Sequence, residues 1–230
     1  MQTNRIKIGL SPNHPCSYLP EQQERIAVLM DDALHTEDNY AVFLANGFRR
    51  SGNMVYKPHC QSCQACQPIR VAIADIQWSK SQKRLLNKTK HFTWEFKTDL
   101  DENWFELYER YIEKRHRNGS MYPANQKLFH DFIFSDWLTP KLLHVYEDGK
   151  LIAVAVTDDV PYALSAFYTF YEPEHPLSLG TLCVLLQIKQ CQKMQKDWLY
   201  LGYQIDECPA MSYKVRFQRH QKLVNQRWQG

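Results

Sequence analysis

Hydrophobic and polar positions follow their clearest pattern in the C-terminal half of the chain. Residues 141–171 alternate as three successive strands, separated by Asp148-Gly149, a favoured hairpin pair, and by a second turn at residues 159–161. Apolar residues then recur at helical spacing over residues 179–195, and residues 198–204 form a last strand. A meander, a helix and one more strand predict a mixed α/β fold with mostly antiparallel sheets and packed helices.

The rest of the chain carries shorter patterns of the same two kinds. A helix over residues 38–46 is expected to end at Gly47, and Ser79 is expected to cap a helix formed by the basic residues that follow it. The other predicted elements are strands at residues 24–29, 48–56, 69–76 and 93–97 and helices that begin near Trp104 and Asn125. We predict two domains packed together, an N-terminal domain of residues 1–78 and a C-terminal domain of residues 79–230.

Composition places the chain among ordinary globular proteins. Its 230 residues are 44% hydrophobic and 23% charged. The N-terminus has no apolar run, so we expect no signal peptide, and the longest apolar stretch, residues 151–156, is too short to span a bilayer. We therefore expect a cytosolic protein without a membrane partner, whose seven cysteines are reduced thiols or metal ligands.

Basic residues are concentrated in one short segment, although the net charge of the chain is only +3. No acidic residue occurs between Asp75 and Glu95, and spacing by four residues puts Lys80, Arg84 and Lys88 on one face of the predicted helix. Such a face is often only solvated surface, but it can also follow a phosphate backbone, and the absence of acids favours RNA. The candidate RNA-binding residues are Lys80, Lys83, Arg84 and Lys88.

Three cysteines are closely spaced at Cys60, Cys63 and Cys66, and Cys16 is a candidate fourth thiol. Tight Cys-x-x-Cys turns direct two sulfurs at one ion, so the spacing suits a metal ion or an iron–sulfur cluster. No second pair of this kind follows downstream, and free cysteines also pack as small hydrophobic side chains. The sequence leaves both interpretations open.

Arginines flank the cysteine segment. Arg49 and Arg50 lie in a predicted strand, where neighbouring side chains point to opposite faces, so only one of them can serve a given pocket. The planar guanidinium suits a carboxylate or a phosphate, whereas a lone arginine more often makes a surface ion pair. We predict a substrate-binding site that includes Arg49, Arg50, Tyr56 and Arg70.

Aromatic residues mark the ends of the predicted C-terminal strands. Tyr168 and Tyr200 can line a pocket with rings and hydroxyls, and the helix that begins near Gly180 can hold an anion at its N-terminus. Ordinary sheet core is the competing interpretation. The order of elements resembles the core of the acetyltransferase superfamily, but binding of coenzyme A normally needs a glycine-rich turn, and this segment has only Gly180. A different acyl donor is therefore favoured.

Four long motifs occur in the order HPCSYLPEQ, GFRRSGNMVYKPHCQSCQACQPIRV, SAFYTFYEPEHPLSLGTLCVLLQIKQC and YLGYQIDECPAMSYKVRF. They resemble the arginyl-tRNA–protein transferase family over nearly the whole chain and are close to its short bacterial branch, the aspartate/glutamate leucyltransferases. The resemblance implies leucyl transfer from Leu-tRNA to proteins that begin with Asp or Glu, in an N-degron pathway, on a fold related to duplicated acetyltransferase (GNAT-type) domains. Eukaryotic relatives associate their N-terminal cysteines with an iron–sulfur cluster or other metal, but the single Cys16 stands here in place of a pair, so the resemblance does not imply a complete four-ligand site. We expect no required cofactor, and a metal or iron–sulfur cluster at the cysteines stays open.

The implied reaction asks little of the protein beyond binding. The donor ester is already activated, and the acceptor α-amine, with a pKa of roughly 7.7–8.0, is partly neutral at pH 7. Holding the two groups together supplies much of the acceleration. We expect one of the three arginines to bind the acidic side chain of the acceptor. The predicted catalytic residues are Tyr168 and Tyr200, which would orient the amine or the terminal ribose.

Two further roles complete the prediction. Lys214 is a candidate for binding the 3′ end of the tRNA, and the basic helix is expected to bind its acceptor stem. Arginyl transfer by the same mechanism stays open as an alternative, as do a non-enzymatic metal- and RNA-binding module and a small-molecule acetyltransferase.

Overall fold

A computed structural model describes residues 6–230; the first five residues, which open the predicted N-terminal domain, lie outside the described part. Residues 6–230 form five α-helices, which are α1 Glu37–Ala45, α2 Lys80–Lys88, α3 Trp104–Arg115, α4 Gln126–Ile133 and α5 Leu179–Lys193. The first seven strands of this part are β1 Ile8–Leu10, β2 His14–Pro15, β3 Gln23–Glu24, β4 Ile26–Leu29, β5 Arg49–Ser51, β6 Met54–Pro58 and β7 Gln67–Ala72. The later strands are β8 Thr93–Lys97, β9 Lys141–Glu147, β10 Lys150–Val160, β11 Ala163–Tyr171, β12 Trp198–Gln204, β13 His220–Val224 and β14 Arg227–Gln229. Short 3₁₀ turns occupy Asp32–Leu34, Pro209–Met211 and Lys214–Arg216.

The larger sheet has eight strands in the order β14-β13-β7-β12-β11-β10-β9-β8. Strand β7 belongs to the predicted N-terminal domain, yet it pairs with β12 on one side and with β13 on the other. All neighbours in this sheet are antiparallel except β11 and β12. The predicted mixed α/β class is therefore confirmed. The division after residue 78 stays a prediction, and strands from both sides of it share this sheet.

The N-terminal segment, residues 8–58, packs on one face of the larger sheet. It forms a four-stranded sheet in the order β1-β4-β6-β5 and the short β2-β3 pair. Tyr40 and Leu44 of helix α1 share a buried cluster with Val160 and Tyr200 of the larger sheet. This packing places the arginines of β5 against the middle of the larger sheet.

Helices cover both faces of the larger sheet. Along β10, Ala155 packs with Leu182 of α5, whereas the next residue, Val156, packs with Trp104 of α3, as alternation along a strand requires. Helix α2 lies on the α5 side and contributes Leu85 to the same core. None of the helices in residues 6–230 is long and apolar enough to cross a membrane.

Strands β11 and β12 separate partway along the sheet. They pair in parallel only between residues 163–165 and residues 198–200, although β11 continues to Tyr171 and β12 to Gln204. Strand β12 also shifts its register against β7 near Gly202, which has a φ of 81°. Beyond these residues β11 and β12 are not paired with each other, and this unpaired stretch is referred to below as the opening between the strands. The three-strand meander β9-β10-β11 is followed by helix α5 and then by β12. This is the order of elements on which the acetyltransferase-like prediction was based.

Several local predictions are confirmed. Helix α1 ends just before Gly47, whose φ of 84° is typical of a helix-stopping glycine. Ser79 caps α2 in a reciprocal arrangement with Gln82. The pair Asp148-Gly149 forms the first hairpin turn with φ values of 48° and 77°, as the tight primed turn requires.

Other elements differ from their predictions for reasons of backbone geometry. The strand predicted over residues 48–56 is the hairpin β5-β6, because the chain turns at Gly52, where a Cβ atom would lie 2.4 Å from the carbonyl oxygen of Asp131. The second turn of the meander lies one residue late, at Tyr162, which has a φ of 64°. The C-terminal hairpin β13-β14 was not predicted, since its turn at Asn225 and Gln226 reaches positive φ without a glycine.

Candidate active site

The side chain of Arg49 is buried where the N-terminal segment meets strand β12. Its guanidinium carbon lies 5.4 Å from the ring centroids of both Tyr200 and Tyr203. It donates to the carbonyl oxygens of Phe48, at 2.7 Å, and Gly202, at 3.0 Å. Its Nε atom is buried without a partner, and no carboxylate of residues 6–230 lies within ion-pair distance. The guanidinium is thus held by carbonyl groups and rings, without a matching negative charge.

Lys214 is a second buried cation at the same place. It begins the 3₁₀ turn after β12 and is 9% exposed. Its ammonium group donates to the carbonyl oxygen of Tyr203 and, like Arg49, it has no carboxylate within ion-pair distance among the described residues. Burial, and then the charge of Arg49, lowers the pKa of Lys214 to about 8. Two buried cations without an acid are costly unless an anion joins them.

Tyrosines surround this pair of cations. Tyr56 lies opposite Arg49 in the β5-β6 hairpin, and the hydroxyl of Tyr203 donates to the carbonyl oxygen of Gly47 at 2.8 Å. Burial, followed by the charges of Tyr56 and Cys66, raises the pKa of Tyr18 to about 12. The predicted residue Tyr56 therefore lies at the cationic pocket, together with Tyr203, and with Tyr18, which the sequence analysis did not single out.

Arg50 has a different environment from its neighbour. Its side chain is completely buried, and its Nη2 atom lies 2.6 Å from Oδ1 of Asp158. Its guanidinium carbon lies 4.4 Å from the ring centroid of Phe167. The charge of Arg50 is already matched inside the protein, so this arginine is poorly suited to bind an acidic ligand.

Arg70 is held between two tryptophan rings. Its guanidinium carbon lies 3.5 Å from the ring centroid of Trp198 and 4.1 Å from that of Trp228. Two of its nitrogens donate to Oε1 of Gln221 at 3.0 Å and 2.8 Å, and a third reaches the hydroxyl of Tyr200 at 3.5 Å. Burial lowers its pKa. Arg70, which lies opposite Tyr200 on the neighbouring strand β7, thus contacts the same tyrosine as Arg49.

Tyr168 and Tyr200 lie on different parts of the separated strands. Tyr200 is buried between Arg49 and Arg70. Tyr168 lies beyond Ser165, the last residue of β11 that pairs with β12, and packs against Phe129 and Phe132 of helix α4. Its hydroxyl is buried without a partner, and burial raises its pKa. The structure brings Tyr200 to the cationic pocket, whereas Tyr168 has no contact with Arg49.

Gly180 lies in the first turn of helix α5, beside the end of β11. A Cβ atom at this position would lie 3.1 Å from the ring of Tyr171. Tyr171 also packs against Tyr111, with ring centroids 4.9 Å apart. Burial, followed by the neighbouring Tyr171 and Tyr213, raises the pKa of Tyr111. A glycine thus allows the tyrosine cluster to approach the start of the helix closely.

The predicted basic face is fully exposed on helix α2. Lys80, Lys83, Arg84 and Lys88 are all exposed, and none of them takes part in an ion pair among the described residues. The opposite face is anchored by Gln82, which is buried and donates to the carbonyl oxygen of Arg216 at 3.4 Å. That contact ties the basic helix to the turn that carries Lys214.

The four candidate metal ligands are neighbours around Cys66. Burial, followed by the charges of Cys60, Cys16 and Cys63, raises the pKa of the Cys66 thiol to about 12. Residues 6–230 nevertheless contain no group of three or more His, Cys, Asp or Glu side chains arranged to hold a metal ion. The thiols as placed do not fit a metal ion or an iron–sulfur cluster, and no chemistry is assigned to one. A metal at these cysteines stays a prediction from their spacing.

Several residues of the pocket carried no sequence signal of their own. Trp228 lies two residues before the last residue, Gly230, and Gln221 belongs to the unpredicted C-terminal hairpin. Asp158, for which the sequence analysis predicted no role, is buried inside strand β10. The irregular part of β12 at Gly202-Tyr203, within the motif YLGYQ, could have been predicted, because a glycine inside a strand often marks an irregularity.

Fold and pocket together define a mixed α/β protein with an opening between two central strands and a buried cationic site beside it. Residues 14–84 match the N-terminal part of the arginine-tRNA-protein transferase family, and residues 103–224 match its C-terminal part. The chain belongs to this family, and the recognition made from its motifs is confirmed.

Relatives in several bacteria are similar along almost their whole length. A protein of Vibrio vulnificus strain YJ016 is 64% identical over 227 residues, which cover 99% of this chain and 98% of the relative. One from Vibrio cholerae serotype O1 is 57% identical over 227 residues, covering 98% and 97%. One from Pseudoalteromonas atlantica is 45% identical over 225 residues, covering 97% of each chain. All three relatives are named aspartate/glutamate leucyltransferase.

Two solved structures are similar at a greater distance. They are the C-terminal domain of a putative lysylphosphatidylglycerol synthetase from Agrobacterium fabrum, with a TM-score of 0.47, and L-PGS from Bacillus licheniformis, with a TM-score of 0.48. Each is 10% identical, and each match covers 61% of this chain and 47% of the other.

Proposed function

We propose that this protein transfers leucine from Leu-tRNA to the α-amino group of proteins whose first residue is Asp or Glu. The family supports aminoacyl transfer, and the names of relatives up to 64% identical support leucine as the donor and an acidic acceptor. The observation that carries the proposal is the buried guanidinium of Arg49, which has no acid partner among the described residues and lies against Tyr200 beside the separated strands.

The acceptor's acidic side chain is assigned to Arg49. Of the three candidate arginines, Arg50 is matched by Asp158, and Arg70 is held by Gln221 between two tryptophan rings. A carboxylate can accept the free Nε–H of Arg49 in a charge-assisted hydrogen bond. An acceptor with a neutral first residue leaves the guanidinium unmatched, which is the physical basis for rejecting it.

The proposed reaction is an aminolysis of the aminoacyl ester. The acceptor's neutral α-amine attacks the ester carbonyl carbon, a C–N bond forms, and the C–O bond to the terminal ribose breaks. The amine loses one proton, and the ribose oxygen gains one. Orientation of the two reactants supplies much of the acceleration, and stabilisation of the tetrahedral oxyanion supplies more.

The donor is assigned to the opening between β11 and β12. Tyr168 presents an unpartnered buried hydroxyl on one strand, and Tyr200 lies where the strands part on the other. Gly180 lets the ring of Tyr171 lie close to the start of α5, beside the end of β11. The exposed basic face of α2 is assigned to the acceptor stem of the tRNA, because its cations have no protein partners in the described part of the chain. A tRNA-linked donor makes the cytosol the expected place of the reaction.

A transfer assay with the purified protein tests this proposal. Labelled Leu-tRNA and Arg-tRNA are offered separately, each with peptides that begin with Asp, Glu, Asn or Ala. We expect leucine on the Asp and Glu peptides alone. Transfer of arginine in place of leucine would show that the donor is Arg-tRNA. If the aminoacyl esters stayed intact in every reaction, a non-enzymatic binding module would be favoured.

Arginine variants test the site. Arg49→Ala is expected to raise the KM for the Asp peptide about tenfold to a hundredfold, as loss of a hydrogen bond to a charged group does. The matched control is Arg117→Ala, because the Arg117 side chain is 67% exposed and pairs with Glu113 on the surface. If Arg49→Ala discriminated between Asp and Asn peptides as well as the wild-type protein does, Arg49 would not bind the acceptor's acidic side chain.

A further inference from the structure

Lys214 and Arg49 both contact the dipeptide Gly202-Tyr203. Arg49 donates to the carbonyl oxygen of Gly202 and lies over the ring of Tyr203, and Lys214 donates to the carbonyl oxygen of Tyr203. A Cβ atom on Gly202 would lie 3.8 Å from Nζ of Lys214. Two cations from different parts of the chain therefore converge on one irregular turn of β12.

The ammonium group of Lys214 retains unused hydrogen-bonding capacity. It has three donors, and Tyr203 is its hydrogen-bond partner among the described residues. By contrast, Lys222, in the same C-terminal segment, is matched by both carboxylate oxygens of Asp206 at 2.8 Å and 3.0 Å. Lys196 is matched by Asp159 at 2.8 Å. Lys214 is thus more deeply buried than Lys196 and Lys222, and no carboxylate among residues 6–230 balances its charge.

We propose that Lys214 is a specificity-determining residue of the acceptor site, where it binds the side-chain carboxylate of the acceptor's first residue together with Arg49. This inference rests on the proposed function and moves Lys214 from the 3′ end of the tRNA, to which the sequence analysis assigned it, to the acceptor. A carboxylate has two oxygens and can accept from both cations at once. Its charge balances the two buried positive charges that repel each other in the free protein.

The two cations also differ in a way that suits two acceptors. Aspartate and glutamate side chains differ by one methylene group, so their carboxylates reach different depths. The guanidinium of Arg49 is planar and fixed by two carbonyl groups, whereas lysine has a flexible four-carbon stem. Lys214 can therefore follow the carboxylate while Arg49 stays in place. We expect Lys214 to contribute to binding of both acidic residues.

The test separates acceptor binding from tRNA binding. Lys214→Met keeps the length of the side chain and removes the charge, Lys214→Arg keeps the charge, and Lys222→Met is the matched control. The KM is measured for Asp, Glu and Asn peptides, and the Kd is measured for Leu-tRNA. We expect Lys214→Met to raise the KM for Asp and Glu peptides about tenfold to a hundredfold and to leave the Kd for Leu-tRNA within twofold. Lys214→Arg is expected to recover part of the discrimination between Asp and Asn peptides.

Contrary outcomes are distinct. A weaker Kd for Leu-tRNA in Lys214→Met, with an unchanged KM for the Asp peptide, would return Lys214 to the tRNA and overturn the inference. If Lys222→Met raised the KM for the Asp and Glu peptides as much as Lys214→Met does, the effect of Lys214 would be a general charge effect, and the inference would be overturned. Failure of the wild-type protein to transfer leucine would overturn the proposed function itself. If Lys214→Met does not fold, the Lys214→Arg variant decides. Arginine is longer than lysine and planar, so an unchanged KM and an unchanged acceptor preference in Lys214→Arg would contradict direct contact with the acceptor.

Discussion

Arg50 and Asp158 form an ion pair in which neither side chain has exposed surface, with Arg50 Nη2 lying 2.6 Å from Asp158 Oδ1. The hydroxyl of Tyr40 donates to the same carboxylate at 3.3 Å, and Arg50 also donates to the carbonyl oxygen of Ile133 at 2.7 Å. The pair therefore joins strand β5 to the centre of the larger sheet and to the end of helix α4. Its neighbour Arg49 has no acid partner among the described residues, so Arg50 holds the fold and Arg49 is the one of the two that we propose for the acceptor.

Removal of one member of this pair leaves a buried charge unmatched. We expect Asp158→Ala to lower the free energy of unfolding by about 3–5 kcal/mol, measured by urea denaturation followed through tryptophan fluorescence. The double variant Arg50→Met/Asp158→Leu removes both charges and is expected to lose less than Asp158→Ala alone. A double variant at least as unstable as the single one would argue that packing at this position matters more than charge.

The unpartnered hydroxyl of Tyr168 leads to a second prediction. Because this group is buried without a hydrogen bond, Tyr168→Phe is expected to raise the free energy of unfolding by about 1 kcal/mol. Transfer from Leu-tRNA is expected to fall in the same variant, since the hydroxyl is assigned to the donor. Thermal unfolding and the transfer assay measure the two effects.

Tyr146→Phe is the matched control for Tyr168→Phe. The hydroxyl of Tyr146 donates to Oδ2 of Asp101 at 2.5 Å, so its removal is expected to lower the free energy of unfolding by about 1.5–3 kcal/mol. Leucine transfer by the folded protein should not change. If Tyr168→Phe lost stability as Tyr146→Phe does, its hydroxyl would have a partner within the protein and no role in donor binding need be assumed.

The sequence allowed much of the fold to be predicted where local rules decide it. Helix α1 ends just before Gly47, Ser79 caps α2, and Asp148-Gly149 closes a hairpin, each through chemistry contained in a few neighbouring residues. Placement of β7 in the larger sheet depends instead on pairing with strands more than a hundred residues away in the chain. Local patterns carry no information on such partners.

The candidate site was predictable in its residue types but not in their roles. Arg49, Tyr56, Tyr200 and Lys214 do converge, yet the sequence could not tell Arg49 from Arg50, because the distinction is made by Asp158, 108 residues from Arg50. The pairing of Arg70 with Trp228 was likewise hidden, since it requires the C-terminal hairpin. Long-range contacts thus decide which charges are free to bind a ligand.

The basic face of α2 makes a prediction about salt dependence. Replacement of Lys80 and Arg84 with glutamine removes two exposed cations that have no ion-pair partner in the described part of the chain. If they contact phosphates, the slope of log Kd for tRNA against log salt concentration should fall by about 1.5–2. Fluorescence anisotropy at four salt concentrations measures this slope. The control Lys7→Gln/Lys150→Gln removes two exposed lysines elsewhere, and an equal change in both variants would show a non-specific charge effect.

Gly180 offers a test of the opening between the strands. In Gly180→Ala the new Cβ atom would lie 3.1 Å from the ring of Tyr171, so this ring must move by a few tenths of an ångström. Alanine is the better helix former by about 1 kcal/mol, which offsets the crowding, and we expect little change in thermal stability. A displaced Tyr171 should disturb the donor and reduce the rate of leucine transfer about fivefold to tenfold, given the sensitivity of such reactions to position.

Gly149→Ala is the control, because its φ of 77° imposes strain while no atom lies within 4 Å of the added Cβ. That variant should lose stability and keep its transfer rate. The reverse pattern, with Gly180→Ala fully active, would place the donor away from the start of helix α5.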